Sequence, residues 1–366
     1  MRRLKRTLVL LVVLVAVLAV AVWGYLQQPQ FVDPIVPAPE ASEHYDDGLF
    51  HNHPEVPVST SDQSQFELFY NFLFNEVKDA VPSKPLPSDK TDLKALSPDA
   101  NVIVWMGHSS YFMQFDGHTF LIDPVFSDYA SPVPGTNKAF PGTNIYAAED
   151  LPEIDYLLIS HDHWDHLDLP TLEGLRDKVD QVIAPLGVGS YLTQWGFNEA
   201  QVFQGDWYDT FSDGAVDIHL VPSVHFSGRL LQRNQTLWAG FAIMTPERKL
   251  LYSGDTGYGD HFKEIYERLG GFDLAILEDG QYDPNWANIH MSPEQAAQAA
   301  LDVDAQAVLA AHNSKFKLAH HSWYDPLERI SQASQDKPYR MLTPMIGERV
   351  DLDNDAQTFQ DWWRQR

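Results

Sequence analysis

The chain has no cysteine, which rules out disulfides, thiolate metal sites and lipid attachment through an N-terminal cysteine. Basic residues are the next scarcity: 25 Lys and Arg stand against 51 Asp and Glu, a formal net charge of -26. So acidic a surface repels phosphate backbones and argues against nucleic acid as a partner. Most of the sequence lacks long apolar runs. The exception extends from Leu8 to Trp23, behind Arg2, Arg3, Lys5 and Arg6. Its length falls between a signal-peptide core and a short membrane span. Trp23 and Tyr25 suit an interfacial anchor, whereas Ala19-Val20-Ala21 would suit cleavage. We read residues 1–26 as a signal anchor in the inner membrane, with the basic end cytoplasmic and the body periplasmic. The alternative is a signal peptide whose removal leaves a secreted body.

Of the 366 residues, 44% are apolar and 12% aromatic, enough for a large core in one α/β domain. Residues 27–60 carry Pro29, Pro34, Pro37, Pro39, Pro54 and Pro57 with little periodicity, and read as an extended arm packing on the body. His51 and His53 in that arm form an H-x-H pair, which in such a segment is usually incidental. The domain proper covers 61–366. Apolar spacing predicts a helix over Gln65 to Asp79, and Asp116-Gly117 marks a hairpin between two short strands. Helices are expected over Trp323 to Ser331 and Asp355 to Trp363.

The stretch that organises the chain is Ile159-Ser160-His161-Asp162-His163-Trp164-Asp165-His166, placed after the apolar run Tyr156 to Ile159 and before a helical pattern. Three histidines and two aspartates on one loop are ligands for a hard or borderline cation. His161 and His163, two apart, can face the same way in extended backbone. Asp165 and His166 follow a turn and can reach a second ion. His225, Asp255 and His312 each end another strand-like run, as a rigid sheet presents groups to one edge. A single histidine at a strand end is more often structural than a ligand, but seven such candidates outweigh that reading. Two metals roughly 3.5 to 4 Å apart can hold a hydroxide between them and clamp both oxygens of a hydrolysis. Arg229 and Arg233, just past His225 in an otherwise acidic protein, would suit a phosphate-bearing substrate; salt bridges to neighbouring carboxylates are the plainer alternative.

His161-x-His163-x-Asp165-His166, with His225, Asp255 and His312 so spaced, resembles the metallo-β-lactamase superfamily of binuclear metal hydrolases. Trp105 to Ser110, Leu121 to Ser127 and Asn288 to Ala296 resemble the branch of N-acylphosphatidylethanolamine-hydrolysing phospholipase D and ascorbate-6-phosphate lactonase-like proteins. The resemblance runs from about residue 100 to about 330. It implies a four-layer αββα sandwich and two Zn2+ ions, with Mn2+ the alternative. One ion would be held by His161, His163, His225 and Asp255, the other by Asp165, His166, Asp255 and His312. It implies Asp165 and His290 as catalytic groups, His290 also as a substrate contact just before a helix N-terminus, and His108 and Asp123 as groups orienting ligands and substrate. A di-iron, oxygen-reducing relative would be expected to carry Glu where His163 stands. The implied activity is a phosphodiesterase of the phospholipase D type on a lipid substrate. Glu278-Asp279-Gly280-Gln281 is nearer the lactonase-like proteins, so a lactonase or other carboxylic ester hydrolase is the alternative.

Overall fold

The computed structural model describes residues 2–64, 67, 70, 77–133, 135–230 and 232–365. Helix α1 (Arg2–Tyr25) is apolar on every side from Leu8 onward and buries none of its residues, and at ~36 Å it is long enough to cross a membrane. The arm beyond it folds back on itself in a two-residue ladder, Tyr45–Asp46 against Leu49–Phe50, and meets the body where Phe50 N donates to the Asn234 carbonyl at 2.8 Å. The helix expected over Gln65 to Asp79 lies, but for a few positions, outside the described residues.

Two seven-stranded sheets make the body. The first contains β1 (Val102–Trp105), β2 (Tyr111–Phe115), β3 (His118–Ile122), β4 (Ile154–Leu158), β5 (Val179–Pro185) and β6 (Val202–Gly205). The second contains β7 (Thr210–Ser212), β8 (Asp217–Val221), β9 (Gly240–Met244), β10 (Lys249–Tyr252), β11 (Leu274–Glu278), β12 (Ala307–Ala311) and β13 (Arg340–Leu342). A last strand, β14 (Arg349–Asp351), crosses back to pair antiparallel with β1 and completes the first sheet. Pairing is parallel from β3 through β6 and again from β10 through β13. Among these, the central strands β11 and β12 are buried along their whole length, and they read as apolar runs, whereas the edge strands β6 and β13 are largely half-buried.

One core lies between the sheets, where Ile103, Phe115 and Leu158 meet Ile218, Phe241 and Ile276. On the outer face of the first sheet, Leu121, Leu157 and Val182 pack against α2 (Leu169–Leu175) and α3 (Val188–Gln194). The outer face of the second sheet carries α4 (His261–Leu269), α5 (Pro293–Asp302) and α6 (Asp325–Ala333). The order helix, sheet, sheet, helix is the four-layer sandwich expected. Helix α5 starts as its sequence predicts: Ser292 Oγ accepts from Gln295 N, and Gln295 Oε1 accepts from Ser292 N.

The tail departs from expectation. Residues 355–361 are not helical, and only Trp362–Arg364 form a 3-10 turn. Both tryptophans are buried, with rings 89° apart: Trp362 reaches Trp105 and Trp323, and Trp363 donates to Glu328. Ahead of them, side chains compete for the backbone donors a helix would need: Asp351 Oδ1 accepts from Asp353 N and Asn354 Oδ1 from Ala356 N.

Candidate metal centre

Strands β1, β3, β4, β8, β10, β11 and β12 all stop at one edge of the sandwich, and each delivers a polar residue there. They contribute His108, Asp123, the His161–His166 loop, His225, Asp255, Glu278 and His312. The backbone bends sharply at this edge. His108, Asp123 and His312 have φ of 56°, 40° and 65°, left-handed values that cost energy outside glycine and persist where the surroundings over-determine them. His108 and His312 hold each other, each exchanging backbone hydrogen bonds with the other's segment at 3.2 Å. Behind them, a Cβ on Gly280 would lie 2.0 Å from the His312 carbonyl oxygen, so only glycine lets the two strand ends approach this closely.

The ligand atoms fall into groups whose members lie within 4.8 Å of one another. One is His161, His163, His225 and Asp255, the set expected for one ion. Another is His108, Asp165, His166 and His312; a third joins Asp255 to Glu278, His290 and His312. Asp255 sits between them: Oδ2 is 3.2 Å from His166 Nε2, 3.7 Å from His161 Nε2 and 3.8 Å from His225 Nε2, while Oδ1 is 3.2 Å from His312 Nδ1.

The hydrogen-bond network decides which ring nitrogen carries each proton. Asp123 accepts from His166 Nδ1 at 2.8 Å, from Ser160 N at 2.8 Å, from Ser160 Oγ at 2.5 Å and from Tyr252 Oη at 2.6 Å. Because Ser160 spends its proton on Asp123, its oxygen is free to accept from His161 Nδ1 at 3.0 Å. The Ile289 carbonyl accepts from His225 Nδ1 at 3.2 Å. All three rings therefore keep a bare Nε2 lone pair aimed into the cluster. Lone pairs facing one another suit a cation between them: His163 Nδ1 is 2.8 Å from His161 Nε2 and 3.2 Å from His225 Nε2.

Electrostatics agree for His161, His163 and His225, whereas at His166 the carboxylates of Asp255 and Asp165 outweigh burial and raise the ring's proton affinity, an attraction a cation held there would replace. Burial holds His161 and His225 well below the usual histidine range and His163 at about 4, so these imidazoles are neutral and ligand-competent. Burial and the neighbouring Asp255 push Glu278 up. His166 Nε2 and Asp255 Oδ1 are buried without a hydrogen-bond partner, a costly arrangement that a divalent cation would relieve. The residues present thus fit two metal ions.

Two expected substrate contacts are corrected by the structure. His108 is wholly buried, with Nε2 2.8 Å from Asp165 Oδ2; it orients that carboxylate and is out of a substrate's reach. Arg229 is also buried. It donates to the carbonyls of Gln30 at 3.2 Å, Asp162 at 2.8 Å and Leu167 at 2.9 Å, and stacks 3.9 Å from the Trp164 ring. Its Nε and Nη1 are taken up on the back of the metal loop, and Nη2 is buried there without an acceptor. Arg233 is exposed and lies 4.9 Å over the Phe226 ring, which in turn packs on His163 at 4.5 Å. His290 pairs through Nδ1 with Glu278, and its ring lies 5.0 Å from His225 and 5.2 Å from His312. Neither His51, which pairs with Glu55, nor His320, which pairs with Asp283, joins these groups.

Sequence reasoning missed two contributors. Glu278 ends β11 just as the ligands end their strands, a signal that was available. Asn52, in the arm, offered none: its Oδ1 accepts from His225 N at 3.0 Å and from Trp238 Nε1 at 3.2 Å, and its Nδ2 donates to the His225 carbonyl at 2.8 Å. Asn52→Ala strands both backbone groups of a ligand, so we expect a loss of about 1–3 kcal/mol in stability. A weaker hold on the ion served by His225 should accompany it, read by thermal melts with and without chelator.

A family profile described as a β-lactamase superfamily domain matches residues 118–313, a span that includes all seven expected ligands. An uncharacterised Mycobacterium tuberculosis protein is 35% identical over 89% of this chain and 88% of its own length. The Caenorhabditis elegans N-acyl-phosphatidylethanolamine-hydrolyzing phospholipase D 1 is 29% identical over 75% of this chain and 86% of its length. Among solved structures, a metallo hydrolase from Ignicoccus hospitalis superposes with TM-score 0.53 at 22% identity, over 69% of this chain and 97% of that one. A diiron β-hydroxylase from Streptomyces venezuelae gives TM-score 0.53 at 23% identity, over 70% of this chain and 55% of that one. With the fold, the profile and a relative matched along nearly its whole length, the chain belongs to the metallo-β-lactamase superfamily and is a metal-dependent hydrolase of that fold.

Proposed function

We propose that the protein is a zinc-dependent phosphodiesterase of the phospholipase D type, acting on N-acylphosphatidylethanolamine-like lipids at a membrane. The observation that carries the reading is the pair of ligand clusters that meet at Asp255, on a chain related over 75% of its length to a phospholipase D named for that substrate. His161, His163, His225 and Asp255 would hold one ion; Asp165, His166, His312 and Asp255 would hold the other. Bound there, two divalent cations supply a water of lowered proton affinity and stabilise negative charge developing on the substrate. The chain does the rest. Asp123, Ser160 and the Ile289 carbonyl keep the ligand nitrogens bare and aimed. His108 and His312 fix Asp165. Glu278 engages His290 Nδ1, which leaves Nε2 as the ring's atom for a substrate oxygen. Arg233, at the rim above Phe226 and His163, is placed to meet a phosphate.

The two arginines separate by experiment. Arg233→Ala is expected to raise KM for an anionic phosphodiester about tenfold, the equivalent of one charge-assisted contact, with little change in melting temperature. Arg229→Ala should lower the melting temperature, since it strips three buried carbonyls of their donor, and should leave KM of the surviving folded enzyme near its original value.

The deciding assay loads the full-length chain, in lipid, with zinc or manganese and offers phosphodiesters, lactones and thioesters. Conversion of an N-acylphosphatidylethanolamine to a phosphomonoester and an alcohol supports the proposal. Ring opening of lactones with phosphodiesters untouched would transfer the assignment to a lactonase or other carboxylic ester hydrolase.

A further inference from the structure

The segment leaving the membrane helix does not hang free. Tyr25, the last residue of α1, donates from Oη to the Pro132 carbonyl at 2.8 Å and packs edge-on against Phe31 at 5.1 Å. Phe31 in turn lies 5.4 Å from the ring of Trp164, which sits inside the metal loop between His163 and Asp165. Trp195 Nε1 donates to the Pro29 carbonyl at 2.9 Å, Gln194 Nε2 to the Asp33 carbonyl at 3.0 Å, and Ser190 Oγ accepts from Ile35 N at 2.8 Å. With Arg229 bonded to the Gln30 carbonyl, these contacts strap the membrane-proximal segment across α3 and the back of the metal loop.

A strap this short fixes which side of the body faces the bilayer. Large apolar side chains are exposed on that side. Leu26 is 38% exposed, one residue past α1; Val133 is 56% exposed, next to the carbonyl that Tyr25 holds; and Leu230 is 47% exposed, next to Arg229, lining a cavity of ≈ 210 Å³ with Phe31 and Val32. The same loop carries the exposed Arg233, whose guanidinium suits a headgroup phosphate. Apolar residues rimmed by a cation beside a membrane span are the composition of an interfacial contact.

We propose that Leu26, Val133 and Leu230 form a second membrane-contact surface, by which the body lies with its metal-loop side against the bilayer instead of being displayed on a loose tether. The occupant is the lipid bilayer, continuous with the one α1 would span. This holds the half-buried His163 and Phe226, at the edge of the metal centre, within reach of lipid headgroups. The inference rests on reading Arg2–Tyr25 as an anchor, and it is independent of which bond is hydrolysed.

A chain without cysteine allows single-site labelling of the full-length protein in phosphatidylethanolamine and phosphatidylglycerol vesicles. Val133→Cys and Leu230→Cys, both at exposed positions, would carry an environment-sensitive fluorophore. Val13→Cys, inside α1, reports the anchor. Glu247→Cys reports the opposite end of the second sheet, in the turn between β9 and β10 and away from Asp255. Labels at Val13, Val133 and Leu230 are expected to lose fluorescence to nitroxide-bearing lipid and to resist iodide, with Glu247 doing the reverse. Lipid quenching at Val13 alone, with Val133 and Leu230 matching Glu247, would overturn the contact surface and leave the anchor standing. Iodide access at Val13 would overturn both.

Discussion

His166→Ala is expected to take metal content from about two ions per chain to about one and to lower turnover by on the order of a thousandfold, since one metal contributes several kcal/mol of charge stabilisation. The reason is geometric. His166 Nε2 is 3.2 Å from Asp255 Oδ2 and 3.6 Å from Asp165 Oδ2, so it belongs to the cluster that also contains His312. The His161, His163, His225 cluster keeps its own three nitrogens and should retain its ion. Elemental analysis alongside steady-state kinetics reads both halves of the result. Full turnover with two ions bound would remove His166 from the ligand set.

Asp123→Asn should give the next largest effect, a 10- to 100-fold fall in metal affinity or activity, typical of losing a group that orients a ligand. Asp123 is fully buried and receives four donors from Ser160, His166 and Tyr252. An amide at that position has one acceptor oxygen and presents N–H toward a donor. Either His166 turns over its tautomer, losing the Nε2 lone pair, or Ser160 loses its acceptor and with it the support of His161. Both ligands are disturbed by one atom's change. Asp123→Ala leaves all four donors stranded, and about 3–5 kcal/mol of stability should go with them. Metal titration of Asp123→Asn, against the melting temperature of Asp123→Ala, separates orientation from folding. An Asp123→Asn protein with unaltered affinity for both ions would show that the Ser160 and His166 contacts do not set the tautomers.

The contrast between Arg229 and Arg233 shows where residue type alone misleads. Both follow His225 in the same loop, and both offer the planar fork that pairs with phosphate. Strand spacing says nothing about which way a loop side chain turns. The loop folds so that Arg229 points inward, onto the carbonyls of Asp162 and Leu167, while Arg233 stays in solvent above Phe226. His108 illustrates the same limit: its family motif marks it as close to the centre, yet its backbone bridge to Asn313 buries the ring behind Asp165. Glu278 is the opposite case, a strand-end carboxylate that the ligand pattern itself should have singled out.

What the amino-acid order settled by itself was local: strands as apolar runs, the Ser292 to Gln295 cap, the apolar first helix, and seven candidate ligands at strand ends. Each depends on residues within a few positions of one another, where periodicity and turn chemistry act. Tertiary structure alone decided the rest. It set the tautomers through Asp123, brought Asn52 across 173 residues to His225, turned Arg229 inward, and strapped the first helix to the metal loop. These are contacts between segments far apart in the chain, fixed by how two sheets close over a shared core, and no local pattern records them.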